Sequence, residues 1–484
     1  MAQALEKLFG RRKILSDVET VTETNIIEIL SDALVTHALN RHEIEYLIRY
    51  RKGDQPILER IKLIREEINN KIVVNIADEV ISFWLCMQYG KPVQYVSRGS
   101  TDLISSDIQK LNDTMLMCGK ARKDIERFEW ALACGTSYEI ILPNAPYINR
   151  AIVPALQKGS ATAELDEAPY NIYVADPRNT FVVYNSGLGE LPLMGVRYIT
   201  ADKGKPEERT IYSVYTSTRY YEITGKESKL RLTKNVPFAL GVMPIIEYPL
   251  TNTRQGAIEV IAPILDTINS VVSNSIDGIE QFIQYLTIFY NCEIDIEVLE
   301  KLKDYGAIQL KSFGENKADV KILNEQLDQT QTLAFVNYLR QMALHISGMP
   351  NNSGDSGAST SDTGRAVELR NNYNVSTMRA DLYQMMADGG EREMLKVVLA
   401  ILRSTVGTSL KLPDIEIKFT RGNYENNYTK AMILTTMLGN DKIAPKLAFT
   451  HCGMFPDPED AANMSAEHYA KVVSEWEREL NESA

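Results

Sequence analysis

A run of regularly spaced aliphatic residues in the middle of the chain constrains the fold more than any other feature. It comprises Ile258, Ile261, Leu265, Ile268, Val272, Ile276, Ile279, Ile283 and Leu286. The spacing of three or four positions is close to a heptad repeat, so it predicts a helix with one apolar face. Unbroken, this helix would span ~44 Å, and Gly278 could kink or divide it. Such a face suits packing against copies of itself or another long helix, and a core helix in a bundle has the same pattern.

The chain before this helix divides into a helical part and a β-rich part. Asn40 and Glu43 have the spacing of a capping box, which predicts the start of a helix that ends near Gly53. Further helices are predicted over residues 57–67, 70–90 and 102–130. Short runs rich in Tyr, Val and Ile, separated by turns from Tyr138 to Leu250, predict a small antiparallel β region.

The chain after this helix alternates compact and helical segments around one polar stretch. Residues 287–327 predict a small α/β piece, and Asp328 is the predicted N-cap of a second helix with an apolar stripe. Residues 351–364, NNSGDSGASTSDTG, form the low-complexity stretch and contain no large apolar side chain. The remaining prediction is a long helix over 365–404 with a possible break at Gly389 and Gly390, a strand at Ile415–Phe419, and two or three closing helices.

The charge balance argues against a protein that grips nucleic acid through its phosphates, because such proteins are usually basic. The formal net charge is −12, and the C-terminal segment from Phe455 to Ala484 is strongly acidic. No apolar run reaches the ~18–20 residues of a membrane span, and the N-terminus lacks the apolar core of a secretory signal. The cysteines are odd in number and scattered, so we expect a cytoplasmic origin without a disulfide framework. They are Cys86, Cys118, Cys134, Cys292 and Cys452.

The sequence contains no pattern that is specific for catalysis, a cofactor or a metal. It has no Walker-type phosphate loop, no dinucleotide-binding glycine pattern, and no C-x-x-C or H-E-x-x-H pair. The run Gly354-Asp355-Ser356-Gly357 copies the letters around the nucleophile of trypsin-like proteases. It lies in the polar stretch, without the base and the orienting acid that this chemistry needs. A serine hydrolase using Ser356 is therefore only an alternative function.

Several short blocks of sequence follow one another in a characteristic order between about Ile44 and Asp460. They are Tyr50–Ile57, Asn69–Ile81, Tyr89–Val93, Ala175–Tyr184, Met243–Glu247, Ile346–Pro350, Ile417–Asn423 and Phe455–Asp460. In this order they resemble the portal proteins of long-tailed double-stranded DNA bacteriophages, the siphophage type. One departure is local: the family often has a Ser-Gly pair where the long helix begins, whereas this chain reads Asp362-Thr363-Gly364-Arg365.

The resemblance implies an α+β fold, mainly helical, with the wing, stem, clip and crown regions of a phage portal. The first half comprises an N-terminal wing of helices and a small antiparallel β region at 1–253 and a stem helix at 254–286. The second half comprises the clip at 287–327, the second stem helix at 328–347, the tunnel loop at 348–364, the long wing helix at 365–404 and the crown at 405–484.

The resemblance further implies a structural role without enzymatic activity or cofactors. Family members form a twelve-subunit ring at one capsid vertex, a conduit for packaging and ejecting double-stranded DNA of any sequence. The implied partners are further copies of the chain, the terminase large subunit as packaging motor, a head-tail adaptor, and the major capsid and scaffolding proteins, but no membrane. The implied location is the virion, and the host cytoplasm during assembly. A non-viral helical oligomeric scaffold is a second alternative.

Two sets of site residues follow from the same resemblance. The DNA-facing tunnel loop comprises Asn351, Asn352, Ser353, Asp355, Ser356, Ser359, Thr360, Ser361 and Asp362. The ring-interface stem comprises Ile258, Ile261, Leu265, Ile268, Val272, Val336, Leu339 and Met342. A small polar loop on an acidic chain predicts weak contact with DNA phosphates. Stem helices that bury their apolar stripe only against neighbouring subunits predict an obligate interface above ~2,000 Å².

Overall fold

The computed structural model describes residues 10–63, 66–98, 102–144, 168–204, 208–225, 229–238, 240–283, 286–290, 319–323, 329–350, 373–421, 427–455 and 458–482. The predicted N-cap Asp328, most of the predicted clip and all residues of the predicted tunnel loop beyond Pro350 lie outside these ranges.

Ten α-helices form within the described residues. They are α1 (Ile26–Arg51), α2 (Ile76–Gln88), α3 (Asp102–Met117), α4 (Lys120–Cys134), α5 (Ala262–Ile283), α6 (Gln329–Ser347), α7 (Tyr373–Thr405), α8 (Asn427–Leu438), α9 (Pro445–Cys452) and α10 (Pro458–Glu482). Two single turns of 3₁₀-helix occupy Pro56–Glu59 and Leu412–Asp414. Among these helices, none combines the length and the apolarity that crossing a bilayer requires.

Thirteen strands form in the same described ranges. They are β1 (Ile14–Ser16), β2 (Gln94–Ser97), β3 (Thr136–Pro143), β4 (Tyr170–Ala175), β5 (Thr180–Asn185), β6 (Pro192–Ala201), β7 (Arg209–Tyr215), β8 (Arg219–Gly225), β9 (Arg231–Pro237), β10 (Ile245–Pro249), β11 (Leu286–Tyr290), β12 (Asp319–Leu323) and β13 (Ile415–Lys418). The molecule is therefore a mixed α+β protein, and the predicted β region between residues 138 and 250 is confirmed.

The strands form four sheets with mostly antiparallel pairing. The largest has six strands in the order β1-β5-β6-β7-β8-β9, and its β1 edge is parallel to β5. A three-stranded sheet has the order β10-β3-β4, and two further pairs join β11 to β12 and β13 to β2. Because the paired residues Val96 of β2 and Glu416 of β13 are 320 positions apart, this last pair ties the C-terminal part to the N-terminal part.

The long helix α7 contributes to two hydrophobic cores. Its first half, with Ala380 and Tyr383, packs with residues of α1, α2, α4, α5 and α6. The Tyr383 ring meets the fully buried Trp84 ring edge to face, with centroids 5.3 Å apart. Its second half packs with residues of α3, β2, β4 and β13. Since full burial of a large apolar side chain stabilises by about 1.5–3 kcal/mol, α7 is a main source of cohesion between the two cores.

The first predicted helix is longer than its sequence pattern indicated. The predicted start at Asn40 is wrong, because α1 runs through this residue. Its amide accepts a hydrogen bond from the backbone N–H of Arg12 at 2.9 Å and donates one to the Arg12 carbonyl at 2.8 Å. The predicted end is confirmed: α1 stops at Arg51, ahead of Gly53, whose φ of +91° belongs to the left-handed region.

Three other helix predictions need correction. The stretch 57–67 forms only the 3₁₀ turn at Pro56–Glu59 in its described part, and α2 begins at Ile76 rather than near residue 70. The stretch 102–130 is divided into α3 and α4 by Gly119, which has φ +64°. The stem helix begins at Ala262, after a turn over residues 257–261, and Gly278 does not interrupt it.

Candidate functional site

The candidate site consists of α5, α6 and the start of α7, because both predicted sets of functional residues belong to this part of the chain. None of the nine predicted DNA-facing residues lies within the described ranges. The structure does describe the residues that flank them, up to Pro350 on one side and from Tyr373 on the other.

The two flanks of the polar stretch are held together at one point, which we call the loop base (residues 346–348, Ser376 and Arg379). The Arg379 guanidinium donates from Nη1 to the Ile346 carbonyl at 2.9 Å, and the buried Ser376 hydroxyl donates to the Gly348 carbonyl at 2.6 Å. These bonds satisfy carbonyls that the end of α6 leaves without helical partners. The chain therefore leaves α6 and enters α7 at a fixed, closed position.

Gly348 is required by this geometry for two reasons. Its φ is +77°, in the left-handed region where an L side chain is strained. A Cβ there would also lie 2.9 Å from Nε of Arg379. Sequence analysis assigned Gly348 to the loop but missed Ser376 and Arg379, because nothing in their spacing indicates a contact with the preceding helix.

The first half of the predicted ring-interface stripe is buried inside the single chain. Ile258, Ile261, Leu265 and Ile268 are each no more than 1% exposed and belong to the core that includes α1, α2 and α4. The expectation that this stripe is covered only by neighbouring subunits is therefore wrong for these four residues. The segment before α5 turns back into the core of its own subunit instead of projecting as a free stem.

The second half of the stripe is less covered. Val272, Val336 and Leu339 are partly buried against the same core, and Met342 is half-buried. Helices α5 and α6 pack against each other, and the antiparallel pair β11–β12 continues from them. The two helices and this strand pair form the described part of the predicted stem and clip.

A polar ladder on α5 binds a segment of extended chain, the strap (residues 60–63 and 66–75). Asn269 Oδ1 accepts from Val74 N at 2.8 Å, Ser273 Oγ from Ile72 N at 3.0 Å, and Asp277 Oδ1 from Asn70 N at 2.8 Å. The acceptors on α5 are four residues apart, which is a rise of ~6 Å along a helix. The donors on the strap are two residues apart, which is a rise of ~6.6 Å along an extended chain. The two spacings therefore match. Because these backbone groups bond to α5, the strap does not form the helix that its sequence suggested.

The strap ends in an ionic contact with Asp277. Lys62 donates to its Oδ2 atom, and Arg60 Nη2 lies 3.1 Å from the same atom. Burial opposes ionisation of Asp277, but the hydrogen bonds from Lys62 and Asn70 outweigh it and lower the pKa to about 2. The carboxylate is therefore ionised at neutral pH and holds the strap to α5.

A row of exposed apolar side chains follows one face of α7, starting in the same turns of the helix as the loop-base residues Ser376 and Arg379. This row, the α7 stripe, comprises Val375, Met378, Leu382 and Met385, which are 39–70% exposed. On α6, Leu333 and Tyr338 are 62% and 57% exposed. Contiguous apolar side chains of this kind mark interaction surfaces. The α7 stripe has the same three- and four-residue spacing as the α5 run, so the sequence contained a signal for it.

Metal-ligating side chains are not clustered in the part of the chain that the structure describes. Within this part, no group of three or more His, Cys, Asp and Glu side chains could hold a metal ion. Cys118, Cys134 and Cys452 are free and buried, and Cys86 is free and exposed. Ser356, the nucleophile of the hydrolase alternative, lies outside the described residues.

Comparison with known protein families gives one extended match. A family model described as "Phage portal protein, SPP1 Gp6-like" matches residues 34–484. The match includes α2 to α10, β2 to β13 and most of α1. A comparison with curated proteins found no match.

Proposed function

Because this chain belongs to the phage portal family of the SPP1 Gp6-like type, we propose that it forms a ring through which double-stranded DNA enters and leaves the capsid. Membership confirms the resemblance seen in the short sequence blocks. The chain is thus a structural protein of the bacteriophage virion, associated with the capsid and with DNA packaging. The conduit role and its partners go beyond family membership and are our proposal.

The loop base supports the assignment of residues 348–364 to a tunnel loop. Arg379 and Ser376 fix the position at which this polar segment leaves the body of the subunit. A segment held at a fixed point on each subunit is repeated around a ring at equal distance from the axis. We propose that its serines, asparagines and aspartates face the DNA. The net charge of −12 keeps the attraction for phosphates weak, so DNA can slide.

The exposed apolar side chains support contact between subunits. We propose that the α7 stripe, with Val272, Val336, Leu339 and Met342 of α5 and α6, packs against the next copy in a head-to-tail arrangement that closes as a ring of twelve. Ile258, Ile261, Leu265 and Ile268 then form the intramolecular core that positions this surface. Family membership implies the ring, and the interface residues and the number of subunits are proposals.

We propose the remaining regions and partners on the same basis. The wing comprises the N-terminal helices, the six-stranded and three-stranded sheets and α7. The stem comprises α5 and α6, the clip contains β11 and β12, and the crown contains α8 to α10. The clip would dock the terminase large subunit and later the head-tail adaptor, and the outer regions would meet the major capsid and scaffolding proteins. The subunits assemble in the host cytoplasm before joining the capsid vertex.

Electron micrographs of the purified full-length protein test the proposal. We expect rings with an axial hole, whereas solitary subunits or filaments would contradict the portal assignment. Rings without a hole would favour the alternative of a helical scaffold. Loss of a fluorophosphonate-reactive activity in Ser356→Ala would favour the hydrolase alternative.

The same electron micrographs also test the proposed interface between subunits. Met378→Glu combined with Met385→Glu places two charges in the α7 stripe, and burying them against a neighbour is unfavourable. We expect the ring fraction to fall at least tenfold. Lys396→Glu, an exposed position on the same helix, should leave the rings intact. Rings unaffected by the double substitution would exclude the stripe from the interface.

A further inference from the structure

Five charged side chains meet in the interior where α4, β3 and α7 come together. This buried charge cluster comprises Lys120, Asp124, Arg127, Glu139 and Glu391, and each is at most 4% exposed. Charged residues are rarely buried to this degree unless they are paired. The portal assignment does not explain the cluster, because the predicted loop and stem residues are elsewhere in the sequence.

The two cations each contact several carboxylates. Lys120 Nζ donates to Asp124 and lies 2.9 Å from Oε1 of Glu391, and Arg127 Nη2 lies 3.3 Å from that same oxygen. Arg127 also approaches Glu139 through Nε at 3.2 Å and Asp124 through Nη2 at 3.4 Å. The cluster is therefore one connected network rather than a set of separate ion pairs.

Three tyrosines, from β2, from β10 and from the residue directly after α2, form hydrogen bonds with members of the cluster. Tyr95 of β2 donates to Oε2 of Glu391 at 3.0 Å, and Tyr248 of β10 donates to Oε2 of Glu139 at 2.8 Å. The Tyr89 hydroxyl, directly after α2, accepts from Arg127 at 2.7 Å. Desolvation raises the pKa of all three hydroxyls, so they stay neutral.

The cluster contains one more acid than base. Lys120 and Arg127 both stay protonated, because their neighbours outweigh burial and raise the pKa of each. The neighbours are the three carboxylates for Lys120, and Tyr89, Glu139, Tyr248 and Asp124 for Arg127. Three ionised carboxylates would then leave one uncompensated negative charge in the protein interior. A group in this situation tends to bind a proton instead, because an isolated buried charge is very unfavourable.

The hydrogen bonds and the ion pairs together identify the carboxylate that can take the proton. Both oxygens of Glu391 accept hydrogen bonds, from Lys120, Arg127 and Tyr95. One oxygen of Glu139 accepts from Tyr248, and its other oxygen faces Arg127. Oε1 of Glu139 and Oδ2 of Asp124 are both buried without a hydrogen-bond partner. Asp124 differs from Glu139 because Arg127 faces this oxygen of Glu139, whereas Lys120 and Arg127 both approach the Oδ1 atom of Asp124.

We propose that the buried charge cluster is a proton-binding site, and that Asp124 binds the proton reversibly on its Oδ2 atom. Desolvation raises the pKa of Asp124 to about 6 in spite of the attraction of Lys120, and the charge of Glu391 adds to this effect. For Glu391, the attraction of Lys120 and Arg127 outweighs burial and lowers the pKa.

Binding of the proton stabilises the folded state, because folding raises the pKa of Asp124. The folded chain binds the proton more tightly than the unfolded chain, where the pKa of Asp124 is near 3.8. Its contribution is complete below about pH 4 and is lost as the pH rises through about 6. Glu391 of the cluster belongs to α7, so the proton stabilises the packing of this helix against α4 and β3. The same uninterrupted helix contains Arg379 of the loop base.

Infrared difference spectra of the full-length protein during a pH titration test the proposal. We expect the carbonyl absorption of a protonated carboxylic acid that disappears as the pH rises through about 6, and we expect Asp124→Asn to lack it. Asp113→Asn, an exposed position on α3, is the control and should retain it. Absence of such an absorption in the wild type, or its persistence unchanged in Asp124→Asn, would overturn the proposal.

A second variant keeps the test decisive if Asp124→Asn does not fold. Glu391→Gln removes one negative charge with little change of shape, so the remaining charges balance and Asp124 should lose its proton at lower pH. We expect the midpoint of the carbonyl absorption to fall by one unit or more. A midpoint that stays near 6 would show that excess buried charge does not hold the proton.

Discussion

Gly390 is a residue at which α7 packs tightly against strand β10. A Cβ at this position would lie 2.2 Å from Cδ1 of the buried Tyr248 ring, so the helix can approach only because a glycine is present. Glycine within a helix costs roughly 1 kcal/mol relative to alanine. Here the close packing of the ring against the helix backbone compensates for that cost, and α7 continues without the break that its sequence suggested.

Alanine substitutions of the neighbouring glycines Gly390 and Gly389 separate the effect of side-chain packing on stability from the effect of helix propensity. Gly390→Ala should lower the free energy of unfolding by about 1–3 kcal/mol, because the methyl group displaces the Tyr248 ring from a packed core. Urea denaturation of the full-length protein at fixed concentration measures the change.

Gly389 provides the matched control for this prediction. A Cβ there would have no atom within 4 Å, so Gly389→Ala should be neutral or stabilise by up to ~1 kcal/mol. Equal effects of the two substitutions would contradict the role assigned to the tyrosine contact.

Single residues show why a local pattern predicts some contacts and not others. Asn40 has the right neighbour for a capping box, yet its amide bonds the backbone of Arg12, 28 positions away. The same donor and acceptor groups serve either role, and only the fold decides between them. Gly53 was predictable because a left-handed residue after a helix is a local requirement.

The α5–strap contact is the clearest example of one element determining the shape of another. Asn269, Ser273 and Asp277 lie one above the other on α5 and accept backbone N–H groups of the strap. The strap gains the backbone hydrogen bonds that a helix would have provided, so it is extended even though its charged sequence suits a helix. The spacing of the three acceptors is visible in the sequence, but their partner is not.

Removal of the last acceptor should loosen one end of the strap. In Asp277→Ala, the Asn70 N–H loses its acceptor and two cations lose their counter-ion, which destabilises by about 1–3 kcal/mol. We expect amide hydrogen exchange of residues 70–74 to accelerate at least fivefold. Ser270→Ala is the control, because its hydroxyl bonds within its own helix, and unchanged exchange in Asp277→Ala would refute the contact.

The same aspartate predicts a dependence on acid. Its pKa is lowered to about 2 in the folded protein, against 3.8 ordinarily. The stabilisation is therefore complete above about pH 4 and is lost as the pH falls through about 2. In Asp277→Ala this component of the acid dependence should be missing from the exchange rates.

At the scale of the whole molecule, the charge of the chain matches a channel that DNA passes without being held. The formal net charge is −12, and duplex DNA carries one negative charge per ~1.7 Å of its axis. In the proposed ring, the polar loop of each subunit would contact the duplex by transient hydrogen bonds only. We therefore expect the rate of DNA packaging to depend on the sign of the charge on the tunnel loop.

Charge reversal in the tunnel loop should slow DNA translocation. Asp355→Lys combined with Asp362→Lys changes the loop by four charges per subunit and creates an attraction for phosphates that is multiplied by the ring. We expect packaging in a defined in vitro system to slow severalfold or stall.

The control removes the same charges without reversing them. Asp355→Asn combined with Asp362→Asn should package at close to the wild-type rate. If the lysine variant packages at an unchanged rate and to an unchanged capacity, the loop does not touch the DNA.

The architecture was predictable from the order of short blocks, but its packing was not. The blocks identified the family, and the runs rich in β-branched and aromatic residues identified the strands, since both signals are local. The burial of Leu265 and Ile268 in their own subunit depends on α1, α2 and α4, which are distant in sequence. A stripe of isoleucines and leucines has the same pattern whether its partner lies in the same chain or in the next one.

Because the loop base is closed, the segment between Pro350 and Tyr373 can be replaced independently of the rest of the subunit. Since Arg379 and Ser376 secure both of its ends on the body of the subunit, an insertion or deletion there leaves the rest of the scaffold in place. Doubling the length of a flexible loop costs only ~0.6 kcal/mol in closure entropy. In the proposed ring, a change in the length of this segment would alter the width of the channel and leave the rest of the subunit unchanged.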